Sequence, residues 1–316
     1  MYNGDTSPTQ DPSPGSLREP EAASAILPGM TSKPRIAIVG AGNLGTALAV
    51  SLRRAGYKIE WVMGHARGAS LKKARKLARQ VGALASVGPQ AKMRTEIVWF
   101  CVPDGEIARA ARSLAGKVAW KGKIALHSSG ALTSDELEVL RRRGATAASV
   151  HPMMTFVRGS QPSLAGVPFA VEGDAAAVRM AQRIVNDLGG YPNPISKKDK
   201  AAYHAWGAFA SPLFTALLAT AEQVATIAGV RRREARRRMI PILLQTLANY
   251  AAFGAGGAFS GPIVRGDVDT VKRHLRVLRK APAVHDVYRS LALAALRQLP
   301  RKNLRAMEKA LRSDRN

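Results

Sequence analysis

Pro34-Arg-Ile-Ala-Ile-Val-Gly40-Ala-Gly42-Asn43-Leu44-Gly45 is the stretch that decides the fold. An apolar strand runs straight into Gly-x-Gly-x-x-Gly, and a near-continuous apolar run is what a parallel strand covered on both faces requires. The glycines suit a turn too tight for a side chain, a close backbone approach to pyrophosphate, and close helix–strand packing. In the helix that follows, Leu44, Ala47, Leu48 and Leu52 fall at helical spacing and Gly56 is a natural stop. Its first turn offers free N–H groups and a positive dipole end to phosphates.

Outward from this unit, strands and helices alternate. Residues 57–63 read as the second strand and 70–81 as a basic helix; 97–102 and 123–126 read as strands with a short helix over 107–114 between them. Thr133 and Glu136 have capping-box spacing for a helix running through Leu140. Residues 147–150, 167–172 and 191–195 supply further strands, the last two flanking a helix near 175–188. The alternation predicts an α/β domain with a doubly wound parallel sheet over 33–196. Ser196, with Asp199 three residues on, can cap a new helix, and all later periodicity is helical, so 197–316 reads as an all-helical second domain. Residues 1–32 carry Pro, Ser, Gly, Thr and acids without hydrophobic period and read as disordered. They lack the basic-then-apolar order of a secretory signal, and Met30, just before the first strand, is an alternative start.

Composition narrows the function classes. The 316 residues have room for two cores. The single cysteine, Cys101, excludes an intrachain disulfide; it falls in a strand as a structural thiol and suits a reducing, cytoplasmic interior. A net charge of +26 raises nucleic acid as a partner. The basic residues are scattered, however, and no aromatic residue interleaves with the densest groups, Arg141–Arg143 and Arg231–Arg238, so a solvated basic face is the preferred reading. Two uncharged stretches, 201–221 and 239–264, have the length of a membrane span. His204, Pro212, Pro241, Gln245, Asn249 and the Gly254–Gly257 run argue instead for helices buried at a domain or subunit interface. The histidines are dispersed, without metal-ligand spacing.

Four polar turns close predicted strands on the ligand-binding rim of such a sheet: Gly40–Gly45, including Asn43 and Leu44; Pro103–Gly105, which overlaps the motif Val102-Pro103-Asp104; His127-Ser128-Ser129-Gly130; and His151–Met154. An NAD-specific site usually ends its second strand in Asp or Glu, but Glu60 falls mid-strand. His65, Arg67 and Ser70, followed by Lys72 and Lys73, suit the 2′-phosphate of NADP through charge-assisted hydrogen bonds. A solvated basic loop is the alternative.

These turns, with Tyr203-His204, Gly261-Pro-Ile-Val-Arg265-Gly-Asp267 and His274, span nearly all of the chain after residue 32. With them the chain resembles Rossmann-like proteins fused to a helical domain of unknown function. These are relatives of pyrroline-5-carboxylate reductase, the deazaflavin-dependent NADP reductases and 6-phosphogluconate dehydrogenase-like enzymes. The resemblance implies a Rossmann sheet followed by a helical domain like the C-terminal domain of 6-phosphogluconate dehydrogenase. It further implies hydride exchange between NADP(H) and a small carbonyl, imine or hydroxy-acid substrate in a cleft between the domains, and a homodimer through the helical domain. A non-catalytic NADP-binding sensor or scaffold is the alternative.

Those relatives carry a Lys and an Asn four apart at the start of the second domain; here Lys200 and His204 share one helix face at that spacing. Lys200 can protonate or polarise a carbonyl, and His204 can supply a proton, a satisfied core histidine being the alternative. Ser128, Ser129 and Gly130 resemble the turn that holds a substrate carboxylate, and a plain helix cap is the competing reading. His127 and His151 end different strands and either line one pocket or hydrogen-bond the backbone. Arg265 either pairs with Asp267 to anchor a loop or binds an anionic substrate group. One departure stands out: where relatives lead us to expect Asn near position 212, the chain has Pro212, which predicts a kink.

Overall fold

The computed structural model describes residues 32–65, 68–88 and 93–313; residues 1–31 and Arg67, both with assignments above, lie outside the described residues. The strands are β1 (Ile36–Val39), β2 (Ile59–Met63), β3 (Leu84–Ser86), β4 (Ile97–Phe100), β5 (Ile124–His127), β6 (Thr146–Pro152), β7 (Pro168–Gly173) and β8 (Tyr191–Pro194). They form one sheet in the order β3-β2-β1-β4-β5-β6-β7-β8. The first six run parallel, but β7 pairs antiparallel with β6, and β8 runs parallel to β7. The sheet is therefore mixed, not wholly parallel: the 153–167 connection carries no crossover helix, and β7 returns directly beside β6. The short β3 escaped the sequence reading because three residues at a sheet edge leave almost no apolar signal. Pro192 and Pro194 fit the other edge, where a missing ladder donor costs little.

Period-two alternation in the strands splits the core between the two faces. On one face Ile36 and Ile38 meet α1 (Asn43–Arg54) and α2 (Ala69–Val81) through Leu48 and Leu77. On the other, Ala37 and Phe100 meet α3 (Asp104–Ala115) and α4 (Glu138–Arg141) through Ile107 and Leu140. Helix α5 (Ala175–Asp187) returns to the first face with Ala177 and Ile184. Chain order reverses between β1 and β4, which opens a crevice at their carboxyl ends.

After a short turn over Lys197–Asp199, helices α6 (Lys200–Ala208), α7 (Phe214–Ile227), α8 (Arg232–Ala258), α9 (Pro262–Arg265), α10 (Val268–Leu278), α11 (Pro282–Gln298) and α12 (Leu304–Ser313) follow. Ser196 occupies the N-cap position of that turn, but its side chain makes no capping bond. Val271, Leu275, Leu296, Met307 and Leu311 make a small core among α10–α12. Pro212 produces a π-helical turn over Phe209–Leu213 joining α6 to α7, a widened turn that accommodates the missing donor. The break instead falls in α8, at Gly254 (φ +66°, ψ −178°).

Helices α6 to α8 bury only Lys200 and Ala235. Trp206, Phe209, Ile242, Leu244 and Phe253 are all more than 60% exposed. The uncharged stretches expected to be buried are thus uncovered within this chain. Among the described residues no single helix is long and apolar enough to cross a membrane; Lys197–Ile227 with Arg232–Arg265, bent by 118°, meets that test only as a pair, by length and composition.

Candidate active site

The crevice at the strand ends is a cleft of about 870 Å³ whose floor is Val39, Gly40, Ala41 and Gly42. Gly40 (φ +106°) lies so close to β4 that a Cβ there would meet the Cys101 carbonyl oxygen at 2.7 Å. A Cβ on Gly45 would stand 2.1 Å from the Gly40 carbonyl oxygen, so this glycine brings α1 against the turn. A Cβ on Gly42 would meet nothing within 4 Å, and Gly42 caps α1 without any side-chain bond to its amides. The open side of the turn therefore presents unoccupied helix N–H groups to the cleft. Leu44 is half-buried behind the turn, and exposed Asn43 donates its amide N–H to the Phe156 carbonyl at 3.2 Å, tying the 153–167 connection across.

One wall holds the residues expected to recognise phosphate. His65 and Ser70 line the cleft, and the His65 N–H donates to Ser70 Oγ at 2.9 Å. A Cβ on Gly64 would approach the Ser70 backbone at 2.9 Å, so Gly64 permits this fold-back. The opposite wall is α3, which presents Glu106, Arg109, Ala110 and Ser113 at helical spacing. Lys73 and Arg109 add positive charge, Arg109 in an ion pair with Glu106. The sequence reading did not single out Arg109, although its 3–4–7 spacing with its neighbours on α3 was a usable signal. Val102 and Pro103 line the cleft. Asp104 does not; it opens α3, where the helix dipole favours a carboxylate. Cys101 is buried beneath the cleft, and burial pushes its thiol up to about 12.

A second cluster forms where α6 meets the ends of β5 and β6. The His127 ring is fully buried: Nδ1 accepts from the Ser129 N–H at 3.1 Å, and Nε2 donates to the Thr133 carbonyl at 2.9 Å. Burial lowers its pKa to about 4. With both nitrogens spent on backbone, His127 shapes the turn and keeps no ring nitrogen free. Ser128 Oγ accepts from the Trp99 indole at 2.8 Å and Ser129 Oγ from the Leu132 N–H at 2.9 Å, so each hydroxyl keeps a proton to donate.

Lys200 is 1% exposed. Its ammonium donates to the Ser129 carbonyl at 3.1 Å and to Ser149 Oγ at 2.7 Å, and Ser149 in turn donates to the same carbonyl. Burial lowers its pKa, while Glu172 and Asp104 pull the other way. Glu172 is itself buried and accepts from the Ser134 N–H and Oγ at 2.7 and 2.9 Å. Ser149 and Glu172 sit inside strands β6 and β7 and carry no motif, which is why the sequence did not announce them.

Of the Lys200–His204 pair, only His204 is exposed. Its ring lies 6.0 Å from that of His151, and the His151 ring lies 5.9 Å from Tyr203, both edge-on. The two histidines converge on Gly130: a Cβ there would stand 2.6 Å from His204 Cδ2 and 2.8 Å from His151 Nε2. Arg265 is exposed on α9, which packs on α10 and α11, and no ion pair links it to another of the described residues. Asp267 instead caps α10 by accepting the Thr270 N–H at 3.0 Å, and hydrogen bonding to the Thr270 side chain first, then to its N–H, holds the carboxyl below the usual range.

Residues 17–152 match the Rossmann-like domain model, and 167–295 match a domain of unknown function, DUF2520. No curated protein matches in sequence. A provisionally named NADP oxidoreductase from Bacteroides fragilis superposes with TM-score 0.69 at 21% identity, over 83% of this chain and 97% of that one. An imine reductase from a Pseudomonas species gives 0.61 at 21%, over 89% and 100%. A reductive aminase from Aspergillus terreus, in complex with NADPH and ethyl-5-oxohexanoate, gives 0.62 at 18%, over 88% and 99%. Likeness at such identity is likeness of fold. By these domain matches the chain belongs to the proteins that join a Rossmann-like domain to a DUF2520 domain.

Proposed function

We propose that this chain is an NADP-dependent oxidoreductase that transfers a hydride between NADP(H) and a small, anionic carbonyl, imine or hydroxy-acid substrate. The observation that carries the reading is the cleft over Gly40–Gly42, open at Gly42 and closed to any side chain at Gly40 and Gly45. The residues fit the group: helix N–H groups at the pyrophosphate, and His65, Ser70 and Lys73 toward a 2′-phosphate, with Arg109 on the facing wall. No carboxylate lies at the Gly64-His65 end of β2, where one would select NAD. The bound nicotinamide supplies the hydride, and the protein positions the substrate and handles the proton.

Ser128, Ser129 and Gly130 form the substrate-binding turn, and His204 is the proton-exchanging group because it alone of the cluster is open to solvent. Lys200 acts from below, holding the Ser129 carbonyl. The uncovered apolar arm of α6–α8 and the resemblance to paired relatives support a homodimer through the helical domain. The lone buried Cys101 fits a cytoplasmic protein.

Fluorescence titration with NADPH and NADH, followed by a screen of keto acids and cyclic imines for NADPH consumption, tests the reading. Preference for NADPH and turnover of one class are expected. Binding of NADPH without turnover of any class returns a sensor, and equal affinity for both cofactors removes the 2′-phosphate assignment.

A further inference from the structure

His151 ends β6 facing α6, and its two nitrogens live in different surroundings. Nδ1 is buried without a hydrogen-bond partner, whereas Nε2 lies against Gly130, close enough that a Cβ there would stand 2.8 Å from it. Protonating Nδ1 would bury an N–H donor with no acceptor, close to the Lys200 cation. A buried lone pair left without a donor costs less than an unpaired N–H of this kind. The ring is therefore neutral, with its one proton on Nε2.

The neighbouring groups do not change this. Facing it from α6 are Lys200, Tyr203 and His204; from β5, His127, whose nitrogens are both engaged with backbone; and from β7, Glu172, whose oxygens are held by Ser134. Burial first, then Lys200 and His204, brings the His151 pKa down to about 4.

We propose that His151 is a catalytic residue acting as a fixed, uncharged hydrogen-bond donor, its Nε2–H directed across Gly130 at the oxygen of a ketone substrate. The inference rests on the oxidoreductase reading and narrows its substrate class. A neutral donor needs an acceptor lone pair; a carbonyl oxygen has one and an iminium nitrogen has none. In the reducing direction hydride adds to the carbonyl carbon, the π pair moves onto oxygen, and that oxygen takes one proton from His204, which recovers it from solvent. His151 polarises the bond throughout and gives up no proton. An uncharged imidazole aimed at developing negative charge stabilises it without reorganisation.

The test uses the full chain labelled with ¹⁵N at histidine, its six imidazoles observed from pH 8 to pH 4, with His151 assigned by the signal lost in His151→Gln. The expected signature is a proton on Nε2, a bare Nδ1, and no titration above about pH 5. A His151 signal that titrates between pH 6 and 7, or that carries its proton on Nδ1, overturns the proposal whatever the enzyme reduces. On a ketone substrate, His151→Gln keeps a neutral donor and should retain kcat within about tenfold with an unchanged pH profile, while His151→Phe should lose about a hundredfold. NADPH binding by both variants verifies their folds. Equal kcat for the two variants also overturns the donor role. If the spectrum is as expected and no ketone, imine or hydroxy acid reacts, the oxidoreductase reading fails while the tautomer stands.

Discussion

The sheet domain and the α6–α8 arm draw on similarly apolar sequence and dispose of it in opposite ways. In the sheet, Ile36, Ile38, Trp99 and Phe100 are wholly covered by helices from the same chain. In the arm, Trp206, Phe209, Ile242, Leu244 and Phe253 face outward. A sheet flanked by its own crossover helices completes its burial locally, one βα unit at a time. A long helix leading away from the core has no such neighbour, and an exposed apolar surface of this kind marks an interaction face. The only long side chain buried in the arm is charged, and it is Lys200, the one that reaches back into the sheet domain. The arm therefore has two ends with different surroundings: one anchors in the site, and the other exposes the apolar surface that the proposed pairing would cover.

The comparison breaks most readily at the arm. Replacing Ile242 and Leu244 with Asp should weaken self-association about a millionfold, roughly 2 kcal/mol for each of the four side chains lost from the two subunits. Sedimentation would show a dimer become a monomer, with NADPH affinity of the sheet cleft unchanged. A parent protein that is monomeric at every concentration removes the paired-arm reading.

Within the sheet, Gly45→Ala forces a Cβ against the Gly40 carbonyl and should cost about 3 kcal/mol or more in urea unfolding. Gly42→Ala meets no atom and should leave stability within about 0.5 kcal/mol while weakening NADPH binding. Equal effects of the two changes would show that the turn does not separate folding from binding.

The sheet domain should also be the acid-sensitive half. His127 has a folded pKa of about 4 against 6.5 unfolded, so the unfolded chain binds the extra proton between these values. Its contribution is present above pH 6.5 and is lost as pH falls toward 4, about 3 kcal/mol in all. Chemical denaturation at pH 7 and pH 4.5 measures it, and His127→Gln should flatten the dependence.

A smaller loss of stability than at Gly45 or His127 belongs to Arg141, which bridges Asp135 and Asp174 at 2.9 Å each. Arg141→Met should destabilise by about 1–2 kcal/mol, because a partly buried carboxylate loses its partner. A change below about 0.3 kcal/mol would show that this network is solvated, like most surface pairs.

How much was legible follows from the range of each interaction. The β1 strand, its glycine turn and α1 are set by residues within a few positions of one another, and the apolar run and three glycines display them. The alternation of later strands and helices, and the switch to helix after Ser196, are legible for the same reason. The return of β7 was not, because Val167–Glu172 reads alike in either direction and its orientation depends on a helix missing from 153–167. His127 and His151 look equivalent as strand-ending histidines next to polar turns. Only the fold gives one two backbone partners and leaves the other with a single nitrogen aimed over Gly130.

What the sequence determined by itself is the Rossmann-like half and the helical nature of the rest, since both are written in local period and turn chemistry. Tertiary structure alone decided that Lys200 is buried against the Ser129 carbonyl and Ser149, and that β6 and β7 run in opposite directions. It also decided that the apolar arm lies uncovered. Each of these depends on which distant groups meet, and burial, unlike periodicity, is a property of the assembled chain.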